Sequence, residues 1–167
     1  AVAERLYEEG MRLAEAGIPF RIVPGVSAGI GGPAYAGIPL THRNHNSVGT
    51  FLTGQGTGGG VPDGIDWGAI SRGSPVIVMY MVVKQLTVIA AKLIAAGRDP
   101  GEPVAIISHA TTADQQVLET KLGECAEAAA RAEPPAVVVV GSVVSFRSYL
   151  DWLGNLQGAP HPLPGSE

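Results

Sequence analysis

Hydrophobic and polar positions alternate with several distinct periods along this chain, and each change of period predicts an element. From Val2 to Ala16 the apolar residues Leu6, Leu13 and Ala14 fall on one helical stripe. Glu4, Glu8, Glu9 and Glu15 lie mostly on the other side, and Gly17 supplies a stop. Phe20 to Val23 is a short β-branched run, read as a strand, that ends at the turn Pro24-Gly25. Ser27 is suited to cap a following helix of small residues, which stops at Gly37-Ile38-Pro39. Val48 to Thr53 predicts a strand, and Asp66-Trp67 opens a short helix to Ile70. Val76 to Met81 is uninterruptedly apolar, as in a strand covered on both faces. Val82 to Ala96 carries Val83, Leu86, Ile89, Ala90, Leu93 and Ile94 at helical spacing, with Gly97 as the stop.

Beyond Pro103 the pattern repeats more tightly. Val104 to Ile107 predicts a buried strand, Val117-Leu118 belongs to a further one, and an alanine-rich helix spans Leu122 to Ala132. Val137 to Val140 is expected to close the sheet, before a last amphipathic helix from Phe146 to Leu153. The alternation describes an α/β fold with a mixed sheet and flanking helices, and the close spacing around 113–120 requires part of the sheet to be antiparallel. The tail, residues 156–167, contains Pro160, Pro162 and Pro164 and is expected to be unstructured.

Composition narrows the class. The 167 residues are 46% hydrophobic and 16% charged, an ordinary globular balance, with a net charge of -4. That charge gives no electrostatic reason to expect nucleic acid as a partner. The single cysteine, Cys125, excludes an intrachain disulfide and a multi-cysteine zinc site, and its flanks Leu122, Ala126 and Ala129 place it on the packed side of a helix. The apolar run Val76 to Val83 is too short to span a bilayer, so no membrane association is expected and the cytoplasm is the expected compartment.

Conventional catalytic patterns are missing. Five glycines in seven residues, Gly54 to Gly60, suggest a phosphate cradle, but no Lys follows and Val61-Pro62-Asp63-Gly64 prevents a helix from opening there; a surface loop is the simpler reading. His42 and His45 lie three apart without a carboxylate or thiol cluster, so no metal is expected. In open α/β sheets ligands dock outside the carboxyl ends of strands. That rule selects Gly25 to Ala28, Tyr80-Met81, Ser108 to Thr111 and Gly141-Ser142.

Four blocks in order carry a family resemblance: Val23-Pro24-Gly25-Val26-Ser27-Ala28 continuing to Tyr35-Ala36-Gly37-Ile38-Pro39-Leu40-Thr41-His42-Arg43; Phe51-Leu52-Thr53-Gly54; Val76 to Met81; and Pro135 to Gly141. Together, from about Arg5 to Trp152, they resemble the tetrapyrrole methylases, and within them the S-adenosylmethionine-dependent C-methyltransferases of uroporphyrinogen III. The resemblance implies the C-terminal domain of that fold over residues 27–155, with residues 1–26 as the last helix and strand of an N-terminal domain. Family members carry a Gly-rich loop and a Gly-Asp-Pro block ahead of this region, so the chain looks like part of a longer enzyme, inactive alone. The implied cofactor is S-adenosylmethionine, leaving as S-adenosylhomocysteine, with contacts at Ser27, Ala28, Met81, Ala110 and Ala136. The implied substrate is a carboxylate-rich tetrapyrrole, contacted by Thr41, His42 and Arg43. Arg5 and Glu8 align with a family block facing the substrate cleft and are the catalytic candidates, although Leu6-Tyr7 stand where the family has two glycines. The relatives imply a homodimer. A sister methylase acting on a later corrinoid, and a non-catalytic dimerising module, are the alternatives.

Overall fold

The computed structural model describes residues 4–56 and 58–154. The expected tail at 156–167 and the side chain of Arg5 lie outside the described residues. The elements in order are α1 (Glu4–Glu15), α2 (Ala28–Tyr35), β1 (Gly49–Thr53), α3 (Trp67–Gly73), β2 (Val76–Tyr80), α4 (Leu86–Ala95), β3 (Pro103–Ser108), β4 (Gln116–Lys121), α5 (Cys125–Arg131), β5 (Ala136–Val140) and α6 (Arg147–Leu150). Short 3₁₀ turns lead into α4, α5 and α6.

The five strands form one mixed sheet in the order β1-β2-β5-β3-β4. β1 and β2 run parallel, β5 is antiparallel to both β2 and β3, and β4 is antiparallel to β3. The last strand therefore inserts at the centre of the sheet, where a strand closing an edge was expected. Its sequence explains the difference: Val137 to Val140 are buried on both faces, and a run with no polar face is best covered between two neighbours and two helical layers.

Alternate residues of the sheet feed two cores. One face, with Ile77, Met79, Val104, Ile106, Val138 and Val140, packs against Leu86, Ile89 and Leu93 of α4 and Cys125 and Ala128 of α5. The other, with Val76, Val78, Ala105, Ile107, Val137 and Val139, is covered by Ala36 and Ile38 after α2 and by Val143 and Val144 after β5. Arg98, just after α4, is buried. Its guanidinium donates to Glu102 Oε2 at 2.6 Å and to Ser74 O at 2.7 Å, which ties the end of α4 to the end of α3 and to the turn before β3.

Two departures from the expected elements stand before and after this body. Phe20 to Val23 forms no strand; Phe20, Ile22 and Val23 are exposed, and no neighbouring strand among the described residues pairs with them. α1 packs on this segment, where Phe20 sits against Gly10. The expected helix Phe146 to Leu153 is broken into a 3₁₀ turn (Ser142–Phe146) and the four-residue α6, which stops at Asp151.

Candidate functional site

Strand directions decide which loops meet. β1, β2 and β3 all end at one side of the sheet, where β5 and β4 begin. Met81, Ala110 and Ala136 come together there because Tyr80 is opposite Val137, and Ser108 is opposite Ala136. The expected contribution from Gly141-Ser142 is not there. β5 runs against its neighbours, so Gly141 lies at the far end of the sheet, its N–H donating to Pro103 O at 3.0 Å. The amino end of β5 takes its place.

α2 lies across this same end. Its N-cap residue, Ser27, makes no capping bond through its side chain; its Oγ instead shares a 2.6 Å hydrogen bond with the Tyr80 hydroxyl. The Tyr80 ring in turn stacks on Phe51, centroids 6.2 Å apart. The small residues of α2 are what let the helix sit so low. A Cβ at Gly29 would run into the Tyr80 ring and Phe51, and one at Gly32 would come within 3.2 Å of the Ala110 methyl. The close approach that the Gly and Ala composition implied is thus made first by the protein's own strand ends.

Among the described residues, three other than glycine have left-handed backbones, Met81 (φ 51°), His109 (φ 48°) and Thr111 (φ 71°), and all three stand in these loops. Such conformations persist only where the surroundings hold them, and they turn carbonyls and N–H groups out of the strand ladder. The His109 N–H donates to Pro135 O at 2.9 Å, and the Thr111 N–H to Gln115 Oε1 at 2.8 Å. Met81, 46% exposed, and Ala136 line a common cavity of about 540 Å³ with Pro134, Pro135, Val83, Lys84, Gln85 and, from the glycine loop, Gln55 and Gly59. Gln85 Nε2 donates to Gly59 O at 3.0 Å, so the loop is a wall of this cavity as well as a surface connection. The lining combines apolar surface with backbone groups and two primary amides, with Lys84 its one charged member among the described residues. That is a surface suited to an uncharged ring and a zwitterionic chain.

The other site candidates do not join this cluster. Thr41, His42 and Arg43 lie in the loop before β1, whose first residue Gly49 is opposite Val76 at the start of β2. Met81 follows the end of β2, so the two groups are separated along the sheet by about 15 Å, the length of a five-residue strand. His42 stacks on Phe146 at 4.7 Å, with His45 edge-on to the same ring at 5.0 Å. The loop is closed by Asn46, whose Nδ2 donates to Leu40 O at 2.8 Å and Val48 O at 3.1 Å. Arg43 is exposed, and Thr41 lines a separate apolar groove of about 630 Å³ with Ile30, Leu150 and Trp152. Glu8 is exposed on α1. Among the described residues no group of three or more His, Cys, Asp or Glu is arranged to hold a metal, and no helix is long and apolar enough to cross a membrane.

Sequence reasoning missed Tyr80 as the partner of Ser27, and missed Gln55, Gln85 and Gln115. An isolated Gln carries no spacing signal; only the contact made in three dimensions distinguishes it from a solvated one.

A family model described as tetrapyrrole (corrin/porphyrin) methylases matches residues 1–126. The chain is 58% identical over 153 residues to a uroporphyrinogen-III C-methyltransferase of a Sinorhizobium species, covering 90% of this chain and 55% of the relative. It is 44% identical over 147 residues to siroheme synthase 1 of Yersinia pseudotuberculosis, covering 88% and 31%. The solved uroporphyrin-III C-methyltransferase of Thermus thermophilus in complex with S-adenyl homocysteine matches with a TM-score of 0.70 and 33% identity, over 83% of this chain and 59% of that one. A cobalt precorrin-4 methyltransferase, at 20% identity and a TM-score of 0.74, shares the fold. The chain spans about half the length, or less, of the curated relatives it matches. With the family model over three quarters of its residues and a 58% identical relative over 90% of its length, the chain belongs to the tetrapyrrole methylase family.

Proposed function

We propose that this chain provides the C-terminal wall of an S-adenosylmethionine-dependent methyltransferase that C-methylates uroporphyrinogen III, the entry to sirohaem and cobalamin. The observation that supports the reading is that Met81 and Ala136 line one cavity at the end of the sheet where Ser27 is bonded to Tyr80 and Gly32 of α2 sits on Ala110, beside three left-handed residues. S-adenosylmethionine, when bound, supplies an already activated methyl group, so the protein's part is placement. The thioether of Met81 offers a polarizable apolar face at the cavity wall. Ala110 and Ala136 leave room for backbone contacts, and the Ser27–Tyr80 pair fixes the first turn of α2 against β2. The relatives' names and the bound product in the Thermus structure support the choice of donor and substrate.

The expected result with the 167-residue chain is saturable binding of S-adenosylhomocysteine in equilibrium dialysis, without turnover of uroporphyrinogen III under anaerobic reducing conditions. Val26 is 83% exposed and Met81 46%, so this wall alone leaves one side of the donor open to water. Misalignment of about 1 Å already costs ~100-fold in a reaction of this kind. Met81→Ala should weaken binding about 10-fold, the effect of losing roughly 1–2 kcal/mol of apolar contact. Failure of the chain to bind the product at all, or equal binding by the Met81 variant, overturns the reading.

A further inference from the structure

Gln115, in the Asp114-Gln115-Gln116-Val117-Leu118 stretch that resembles the uroporphyrinogen-III methylases, does not line the cavity, yet its side chain bonds both a left-handed residue and the end of α2. Its Oε1 accepts from the Thr111 N–H at 2.8 Å, and its Nε2 donates to Tyr35 O at 3.2 Å. Thr111 follows Ala110 directly and is one of the left-handed residues. Tyr35 is the last residue of α2, where helix carbonyls lack partners of their own. The neighbouring carbonyls are served otherwise: Pro33 O by Ile38 N, and Ala34 O by Gly37 N and by Trp152 Nε1. Gln115 is itself rooted in the turn, its N–H donating to Thr112 O at 3.2 Å.

We infer that Gln115 is a positioning residue, whose one amide clamps the strained Ala110 loop to the end of α2. The inference rests on the reading of Ala110 and the start of α2 as cofactor contacts. α2 carries Ser27 and Ala28 at one end and is seated on Ala110 through Gly32 in its middle. Fixing its other end to Thr111 sets the distance between the two groups of contacts. The primary amide accepts from one backbone and donates to the other; a carboxylate of the same length keeps the first bond and turns an oxygen against the Tyr35 carbonyl. Asn is one methylene too short to span both.

The test compares the wild-type chain with Gln115→Glu and Gln115→Ala by amide hydrogen exchange and by S-adenosylhomocysteine titration. Gln115→Ala should exchange the Thr111 amide about 10-fold faster, the scale of one lost hydrogen bond, whereas Gln115→Glu, which keeps that bond, should leave it near the wild-type rate, with Val78 and Ile106 unchanged in both. Both should also bind S-adenosylhomocysteine about 5- to 10-fold more weakly, because less of the population is in the competent arrangement, while the urea midpoint stays near wild type. A purely structural role would move the midpoint and leave the affinity ratio alone, and that outcome overturns the inference. So does a Thr111 amide that exchanges at the wild-type rate in Gln115→Ala. Wild-type binding with unaffected variants removes the positioning role only, whereas a wild-type chain that binds no S-adenosylhomocysteine removes the cofactor reading and this role with it.

Discussion

Burial in the core between α4, α5 and the sheet pushes the Cys125 thiol up to about 11 from 9.0, because a thiolate there would lose its hydration. The unfolded chain gives up this proton at the ordinary value and the folded chain only at the higher one. Between about pH 9 and 11 the unfolded state therefore binds fewer protons, and stability falls as pH rises through that window. The loss should approach about 3 kcal/mol above both values. Urea midpoints measured from pH 8 to 11 for wild type and Cys125→Ala should diverge, the variant having the flatter curve; parallel curves would refute the assignment. The same burial keeps the thiol protonated and inert at neutral pH, as the flanking apolar residues implied. Ser27 is less transparent at this scale. Its position before a helix correctly marks the N-cap, but its hydroxyl turns to Tyr80, a partner 53 residues away that no local rule selects.

Among elements, the continuous apolar runs are the most legible. Val76 to Tyr80, Val104 to Ile107 and Val137 to Val140 are strands as read, because a run without a polar face has few other ways to be buried. Phe20 to Val23 has similar β-branched character and still forms no strand, since a strand needs a neighbour to accept its hydrogen bonds. The junction of α3, α4 and β3 depends on one charged side chain. Arg98 is buried against Glu102 and the carbonyls of Ser71 and Ser74, so Arg98→Ala strands a carboxylate and two carbonyls together. The expected cost is about 3 kcal/mol, the typical penalty for removing one partner of a buried pair. Arg98→Met should recover part of the packing without the charge contacts. Denaturant titration of the two variants checks this, and a loss below about 1 kcal/mol for Arg98→Ala would mean the site relaxes around the gap.

For the whole molecule, exposed apolar side chains cluster at both ends of the chain: Tyr7 (62%), Met11 (64%), Val23 (75%) and Val26 (83%) near the start, and Tyr149 (82%) on α6. Single exposed apolar residues are common, but contiguous ones mark association surfaces. The proposed partner is a second copy, and sedimentation velocity at micromolar concentration should give a species of twice the chain mass; a monomer throughout that range would refute it. The α/β class, the positions of most strands and helices, and the identity of the small residues around Ser27 and Ala110 follow from the sequence by itself. Periodicity and turn chemistry act within a few residues and leave their mark on composition. Strand order and direction do not. That β5 enters the middle of the sheet in reverse, bringing Ala136 to Met81 and sending Gly141 to the far end, depends on which neighbours best bury an all-valine run. The separation of Thr41-His42-Arg43 from the Met81 cavity follows from the parallel pairing of β1 with β2, which sets the loop before β1 at the opposite end of β2 from Met81. The clamp of Gln115 on Tyr35 is likewise a tertiary feature: these residues are 80 positions apart, and only the packing of α2 over the β3–β4 turn brings their hydrogen-bonding groups within reach.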